Sequence, residues 1–240
     1  DSSTSRGLGD VYKRQIIRFR GQKGDKNMTD KIKVGLIFGG NSSEYEVSIM
    51  SAHNIYEEID TNKFDVYPMW ITNDGYLAND ADSRKVLDNP KMEVANPHKV
   101  ANISNIVELK DRPEIDVFFP IVHGNLGEDG CLQGLFRVLD KPFVGDDVLA
   151  AAVTMDKEMT KILAQRAGVP VAKWIAVKRF EYNDSDNKKL DYEYVASQLG
   201  SDLFVKPSNQ GSSVGVSHVT NEKEYKVALA EAFKLSLIHI

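Results

Sequence analysis

Three short segments set charged groups beside glycines. The first is Gly39 to Glu44 (GGNSSE), where an apolar run from Lys33 to Phe38 stops and a helix pattern starts. Glycines let a backbone turn sharply and approach a ligand closely. Helix N-terminal amides suit an anion, and Glu44 adds a carboxylate. Such a pair of charges can hold a small zwitterion, its amine on Glu44 and its carboxylate on nearby donors. Taken alone, the motif needs no more than a capped βα turn in which Glu44 offsets the helix dipole. The three-glycine dinucleotide fingerprint is absent, which counts against NAD.

The second segment is His123 to Gly134 (HGNLGEDGCLQG), beginning where the apolar stretch Ile115 to Val122 ends. Open α/β sheets bind ligands at the carboxyl ends of such strands. Four glycines, an imidazole, Glu128 and Asp129 are more than a turn needs. His123 can donate to a substrate carboxylate or a reacting oxygen. Nothing around Cys131 marks its thiolate as stabilised, so it reads as a packed small residue. The third segment is Lys206 to Val216 (KPSNQGSSVGV), where a strand delivers a lysine and a loop offers hydroxyls and flexible amides. Amides in such a loop cradle phosphate oxygens, and the lysine adds a point charge. It is not a Walker A loop. Lys157, following Asp156 at a helix start, offers a second cation.

The elements that must position these groups follow from periodicity. Lys33–Phe38 reads as a buried parallel strand. Ser43 and Glu46 have capping-box spacing, with a helix to about Ile59. Phe64–Thr72 is the next strand, and Asn73-Asp74-Gly75 a hairpin turn. Residues 79–112 are polar and irregular, with weak strands at best. Ile115–Val122 is a buried strand, Leu132–Leu139 a helix and Phe143–Gly145 a short strand. After residue 150 the pattern changes. Thr154–Ala167 is an amphipathic helix with Met155, Met159, Ile162 and Leu163 on one face. Lys173–Lys178 is a strand and Tyr182–Lys189 a polar loop. Tyr192–Leu199 is a helix, Leu203–Lys206 and Val216–Val219 are strands, and Glu222–Lys234 is a helix. This is an α/β sheet domain followed by a smaller α+β unit.

The 240 residues carry 30 Lys plus Arg against 35 Asp plus Glu, a net charge of -5. Nucleic-acid binding has no support from that balance. One cysteine excludes an internal disulfide and a cysteine-based structural zinc site. A reducing, cytoplasmic setting fits. No apolar run approaches the roughly 20 residues that cross a bilayer, so no membrane partner is expected.

Both ends look foreign. Asp10–Gln15 (DVYKRQ) and Leu235–Ile240 (LSLIHI) can be encoded by one DNA element read on opposite strands. That element resembles the end of a transposon used to prepare sequencing libraries. The expectation is a leader at 1–27, native sequence from Met28 to about Lys234, and a non-native tail at 235–240. Native sequence would divide at 28–150 and 151–234.

The three segments, in this order and spacing, resemble the D-alanine–D-alanine ligases of the ATP-grasp superfamily. GGNSSEYEVS and HGNLGEDGCLQG are similar to that family's N-terminal signatures. Asp156-Lys157 and KPSNQGSSVG are similar to its nucleotide-binding segments. The resemblance implies a Rossmann-like, pre-ATP-grasp parallel-sheet domain, then the first, incomplete part of an ATP-grasp domain. It implies that Glu44 orients the first D-alanine through its ammonium, in a network with Ser212, and that His123 sits by its carboxylate. Lys157 and Lys206 would contact ATP phosphates, with Gly211, Ser212, Ser213 and Gly215 in a lid over them. It also implies a homodimer, and two-step ligation through an acyl phosphate for peptidoglycan precursors.

The family's magnesium ligands, intermediate-binding arginine, adenine segment and substrate-selecting loop come from its C-terminal part. After Gly215 this chain offers only Glu222, Glu224 and Glu231 as acids, in a solvated helical pattern. The expectation is therefore ATP with Mg in a longer protein, no metal ligands here, and no turnover by these 240 residues. Alternatives are a D-alanine–D-lactate ligase and a nucleotide-binding fragment without turnover. A dehydrogenase is disfavoured by the missing fingerprint.

Overall fold

The computed structural model describes residues 31–92, 94–102, 115–184 and 187–235. The first apolar run forms β1 (Ile32–Gly39), whose last six residues are buried. A strand covered on both faces has no solvent side, so its sequence is continuously apolar. β1 pairs in parallel with β2 (Phe64–Ile71) on one edge and with β5 (Val117–Pro120) on the other. Beyond β2 the direction reverses. β3 (Tyr76–Ala78) runs antiparallel to β2, and β4 (Lys99–Asn102) antiparallel to β3. The order is β4-β3-β2-β1-β5.

The sheet is thus mixed: β2, β1 and β5 form the expected parallel core, and an antiparallel edge begins at the hairpin turn expected over Asn73-Asp74-Gly75. The cause is local. Gly75, at φ +83°, closes a tight turn, and a tight turn joins only antiparallel strands. Phe143 contributes a single parallel bridge to Phe118 in place of a strand.

Helices α1 (Tyr45–Glu58), α2 (Asp80–Asp88), α3 (Cys131–Val138) and α4 (Val148–Met155) accompany the sheet. Alternate residues of β1 point to opposite faces. Leu36 and Phe38 join Ile49, Trp70 and Leu87 in one cluster. Ile37 joins Met69, Phe118 and Phe136 in another, where the Phe118 and Phe136 rings stack at 4.9 Å. α2 lies in a stretch expected to be irregular. Asn79 caps it, its side-chain oxygen accepting from the Asp82 amide at 2.7 Å, and Ser83, Val86 and Leu87 are buried. Residues 103–114 of that stretch lie outside the described residues.

The second unit holds α5 (Lys157–Arg166), α6 (Arg179–Tyr182), a 3₁₀ turn (Lys188–Leu190), α7 (Tyr192–Leu199), β6 (Leu203–Val205), β7 (Ser217–Val219) and α8 (Glu222–Leu235). β6 and β7 pair antiparallel. Val195, Leu203, Val219, Tyr225 and Ala228 form its core. The helix expected over Thr154–Ala167 is two helices, because Asp156 leaves helical geometry to cap α5. Met155 is buried but Met159, Ile162 and Leu163 are exposed, so the expected apolar face does not form one buried stripe. Lys173–Lys178 makes no strand ladder among the described residues. Leu235, first of the tail hexapeptide, continues α8. The rest of the tail and the leader lie outside the described residues.

Candidate functional site

Glu44 sits at the N-terminal boundary of α1, just past the end of β1. Gly39 makes the turn possible. Its φ is +89°, and a Cβ there would fall 2.1 Å from the Ile71 carbonyl oxygen. Buried Ser48 ties the corner together, accepting from the Gly39 amide at 2.8 Å and donating to the Ile121 carbonyl. The capping box expected from Ser43 and Glu46 is not formed. Ser42 instead makes a local turn before the helix, its hydroxyl oxygen accepting from the Glu44 amide at 3.2 Å while its hydroxyl donates to the His123 carbonyl at 2.9 Å. One serine therefore joins the first two motifs.

The second motif folds around its own carboxylates. Glu128 accepts from the Gly124 amide at 2.8 Å, and Asp129 accepts from the amides of Leu126 and Cys131. His123 Nε2 lies 3.1 Å from the Ser51 hydroxyl, and its Nδ1 lies 3.7 Å from Glu128. Cys131 is exposed, which corrects the packed residue expected from sequence, but partial burial, reinforced by Asp129, pushes its thiol up to about 11 and keeps it inert.

Glu44 itself is 7% exposed. One carboxylate oxygen, Oε1, accepts from the Ser212 hydroxyl, which reaches it from the third motif. The other, Oε2, is buried with no hydrogen-bond partner. Gly124 and Gly211 flank it, and a Cβ on either would lie 2.9 Å away. A buried carboxylate oxygen without a donor is costly. The arrangement suits a compact cation with N–H donors.

The third motif carries strain at its tip. Ser212 and Ser213 have φ of +46° and +60°, which non-glycine residues seldom adopt. Such backbone persists only where its surroundings hold it, and the Ser212–Glu44 bond is one such hold. On the other flank Lys157 donates to the carbonyls of Ser208 and Gln210 at 3.2 and 2.5 Å. The loop is gripped from both units.

Behind the loop lies a cavity of about 430 Å³, walled by Trp174, Ile175, Val177 and Phe204 among others, a size that fits a small ligand. Its lining has six cationic side chains, Lys157, Lys161, Lys173, Lys178, Arg179 and Lys206, against two carboxylates. Both carboxylates are engaged, Glu158 by Lys178 and Asp202 by His218. Burial, and then the charge of Lys206, hold Lys157 below the ordinary lysine range despite Asp156. The same two causes lower Lys161. A site that destabilises its own cations favours a polyanion. It does not fit a metal: among the described residues no cluster of three His, Cys, Asp or Glu could hold one.

Structure thus brings Glu44 and Ser212 into contact, sets His123 beside them through Ser42, and turns Lys157 and Lys206 into one cavity. Sequence reasoning missed Lys161, Trp174 and the organising role of Asp156. Only the Asp-Lys pair at a helix start hinted at the last.

A mixed α/β sheet whose strand ends meet a Gly/Ser loop and lysines from a following α+β unit is the architecture of ATP-grasp ligases. Family models for the D-ala D-ala ligase N-terminus and C-terminus match residues 33–146 and 163–237. The chain belongs to the D-alanine–D-alanine ligase family. It is 99% identical over 207 residues to the D-alanine–D-alanine ligase of Lactobacillus gasseri, a match covering 86% of this chain and 57% of that protein. Against the Lactobacillus acidophilus ligase the identity is 74%, covering 86% and 58%. The structure of D-alanine-D-alanine ligase from Coxiella burnetii superposes with a TM-score of 0.68 at 31% identity, covering 86% of this chain and 61% of that one. The VanG D-Ala:D-Ser ligase from Enterococcus faecalis gives 0.65 at 31%, with the same coverage. The chain spans 57–58% of the length of these curated relatives.

Proposed function

We propose that the chain carries the first-substrate and phosphate-binding part of a ligase that joins two D-alanines at the expense of ATP. The observation that carries this is Glu44, a buried acid with one oxygen fixed by Ser212 and the other unpartnered between two glycines. The ammonium of D-alanine supplies the missing donors, and His123, whose backbone carbonyl Ser42 joins to the Glu44 turn, is assigned to its carboxylate. In the complete reaction ATP phosphorylates that carboxylate, and the amine of a second D-alanine displaces phosphate from the acyl phosphate. Lys157 and Lys206 offset the charge on the phosphoryl oxygens. Gly211, Ser212, Ser213 and Gly215 close over them. Magnesium is expected with ATP, but the described residues do not fit it.

The product suits peptidoglycan precursor synthesis in the cytoplasm. Among the described residues no helix is long and apolar enough to cross a membrane. The curated relatives named above are D-alanine–D-alanine ligases, and D-alanine is the second substrate of this proposal. Homodimer assembly belongs to it as well, and sedimentation velocity measures that.

Calorimetric titration of the chain with D-alanine tests the central assignment. Glu44→Gln keeps the shape of the site and removes the charge, so D-alanine affinity is expected to fall about 10- to 100-fold, the range for hydrogen bonds to charged groups. ATP affinity is expected to change less than twofold. The opposite pattern would place phosphates, not the amino acid, at Glu44. Phosphate release on mixing D-alanine with ATP reports whether this chain also turns over.

A further inference from the structure

Lys157 and Lys161 stand one turn apart on α5, so their side chains leave the same face of the helix. Both line the cavity that Lys206 also reaches. Lys157 is committed to the loop carbonyls. Lys161 is not. Its hydrogen bond to the Ala172 carbonyl is long at 3.4 Å, and its ammonium lies 5.2 Å from the centroid of the Trp174 ring. An aromatic face restrains an ammonium without neutralising it. None of the three lysines forms an ion pair with a carboxylate among the described residues, and both lining carboxylates are already taken.

Three ammonium groups around one cavity repel one another, and Lys206 and burial already weigh against the charge on the other two. Two lysines match one phosphate group. A third, one helical turn further along, matches a ligand whose charge is spread over a chain of phosphates.

We propose that Lys161 is a third phosphate-binding cation of the nucleotide site, contacting the polyphosphate chain together with Lys157 and Lys206, with Trp174 restraining its ammonium beside the cavity. The inference rests on the nucleotide-binding function proposed above and adds a residue to it.

The test is calorimetric titration of the chain with inorganic tripolyphosphate and with ATP. Lys161→Met keeps the aliphatic stem against Trp174 and removes the charge; Met is a good helix former, so α5 is retained. The expected result is about a tenfold loss of affinity for both probes, the size of one charge-assisted contact, with most of it recovered in Lys161→Arg. Lys226→Met, an equal charge change on α8, is expected to cost less than twofold. Lys161→Gln supplies a second neutral variant should the first misfold. Unchanged tripolyphosphate affinity in the neutral variants overturns the role of Lys161 and leaves the nucleotide site standing. Equal losses from Lys161→Met and Lys226→Met indicate a general field and also overturn it. No binding of either probe by the unsubstituted chain overturns both.

Discussion

Glu44 and the lysines facing the cavity are two forms of one feature: charge placed where the protein provides no full partner. Glu44 Oε2 is buried and unbonded. Lys157 and Lys161 are held below the ordinary value of 10.5 by burial and by Lys206. A lowered lysine pKa has a definite sign for anion binding. Protonation, and with it attraction for phosphate, begins to fail at a lower pH than for a free lysine. Tripolyphosphate affinity of the chain is therefore expected to fall as pH rises toward 10.5, within a window lying below that value. Lys157→Arg keeps its charge throughout this range, so it is expected to lose much of the slope. A flat titration of the unsubstituted chain up to that pH would show that these lysines do not hold the anion.

Among the elements, the break between α4 and α5 matters most for the site. Asp156 accepts from the amides of Glu158 and Met159 at 2.9 and 3.0 Å, and from the Ser208 hydroxyl at 3.3 Å. It caps α5 and anchors the phosphate loop together. The adjoining Lys157 amide donates to the Ser208 carbonyl at 3.2 Å. Replacing Asp156 with alanine removes an N-cap, a loss of about 1 kcal/mol, and the unfolding midpoint is expected to fall by about 2–4 °C. Tripolyphosphate affinity is expected to fall with it, because the loop loses its anchor. Removing a negative charge near an anion site would by field alone do the reverse. A rise in affinity would mean that Asp156 acts through its charge and not as a cap. The break was not legible from periodicity, since Met155, Met159, Ile162 and Leu163 repeat at helical spacing whether or not one residue between them leaves the helix. α2 was hidden for another reason. Its buried residues are Asp82, Ser83, Val86 and Leu87, so half of its inner face is polar and shows no apolar stripe. β1 and α8 were legible because one is continuously apolar and the other is long and clearly bounded.

Across the whole molecule, glycines and charges at strand ends pointed to the two halves of the proposed site, and the resemblance paired Glu44 with Ser212, which the structure brings into contact. Lys161 could not be found this way, because a lysine on a helix looks solvated until its fold walls it with Trp174. The join between the halves has its own consequence. Ser212 belongs to the loop that follows Lys206, while Glu44 belongs to the sheet domain, 168 residues away in sequence. Gly211 covers Glu44 Oε2 at a distance that leaves no room for a side chain. An amino acid entering at Glu44 must shift this loop or settle beneath it, and phosphates held by Lys157 and Lys206, as proposed, would bias where the loop lies. The two ligands are therefore expected to couple, and coupling between binding sites is reciprocal. D-alanine affinity measured with saturating ATP should differ from that without it by about tenfold, within the ordinary range for such coupling, and ATP affinity should change by the same factor when D-alanine is saturating. Ser212→Ala removes the hydroxyl that joins loop to carboxylate and should reduce the factor to less than twofold in both directions. Coupling that survives intact in Ser212→Ala would show that the domains communicate by another route, and the bond between Ser212 and Glu44 would then be a local restraint on the loop alone.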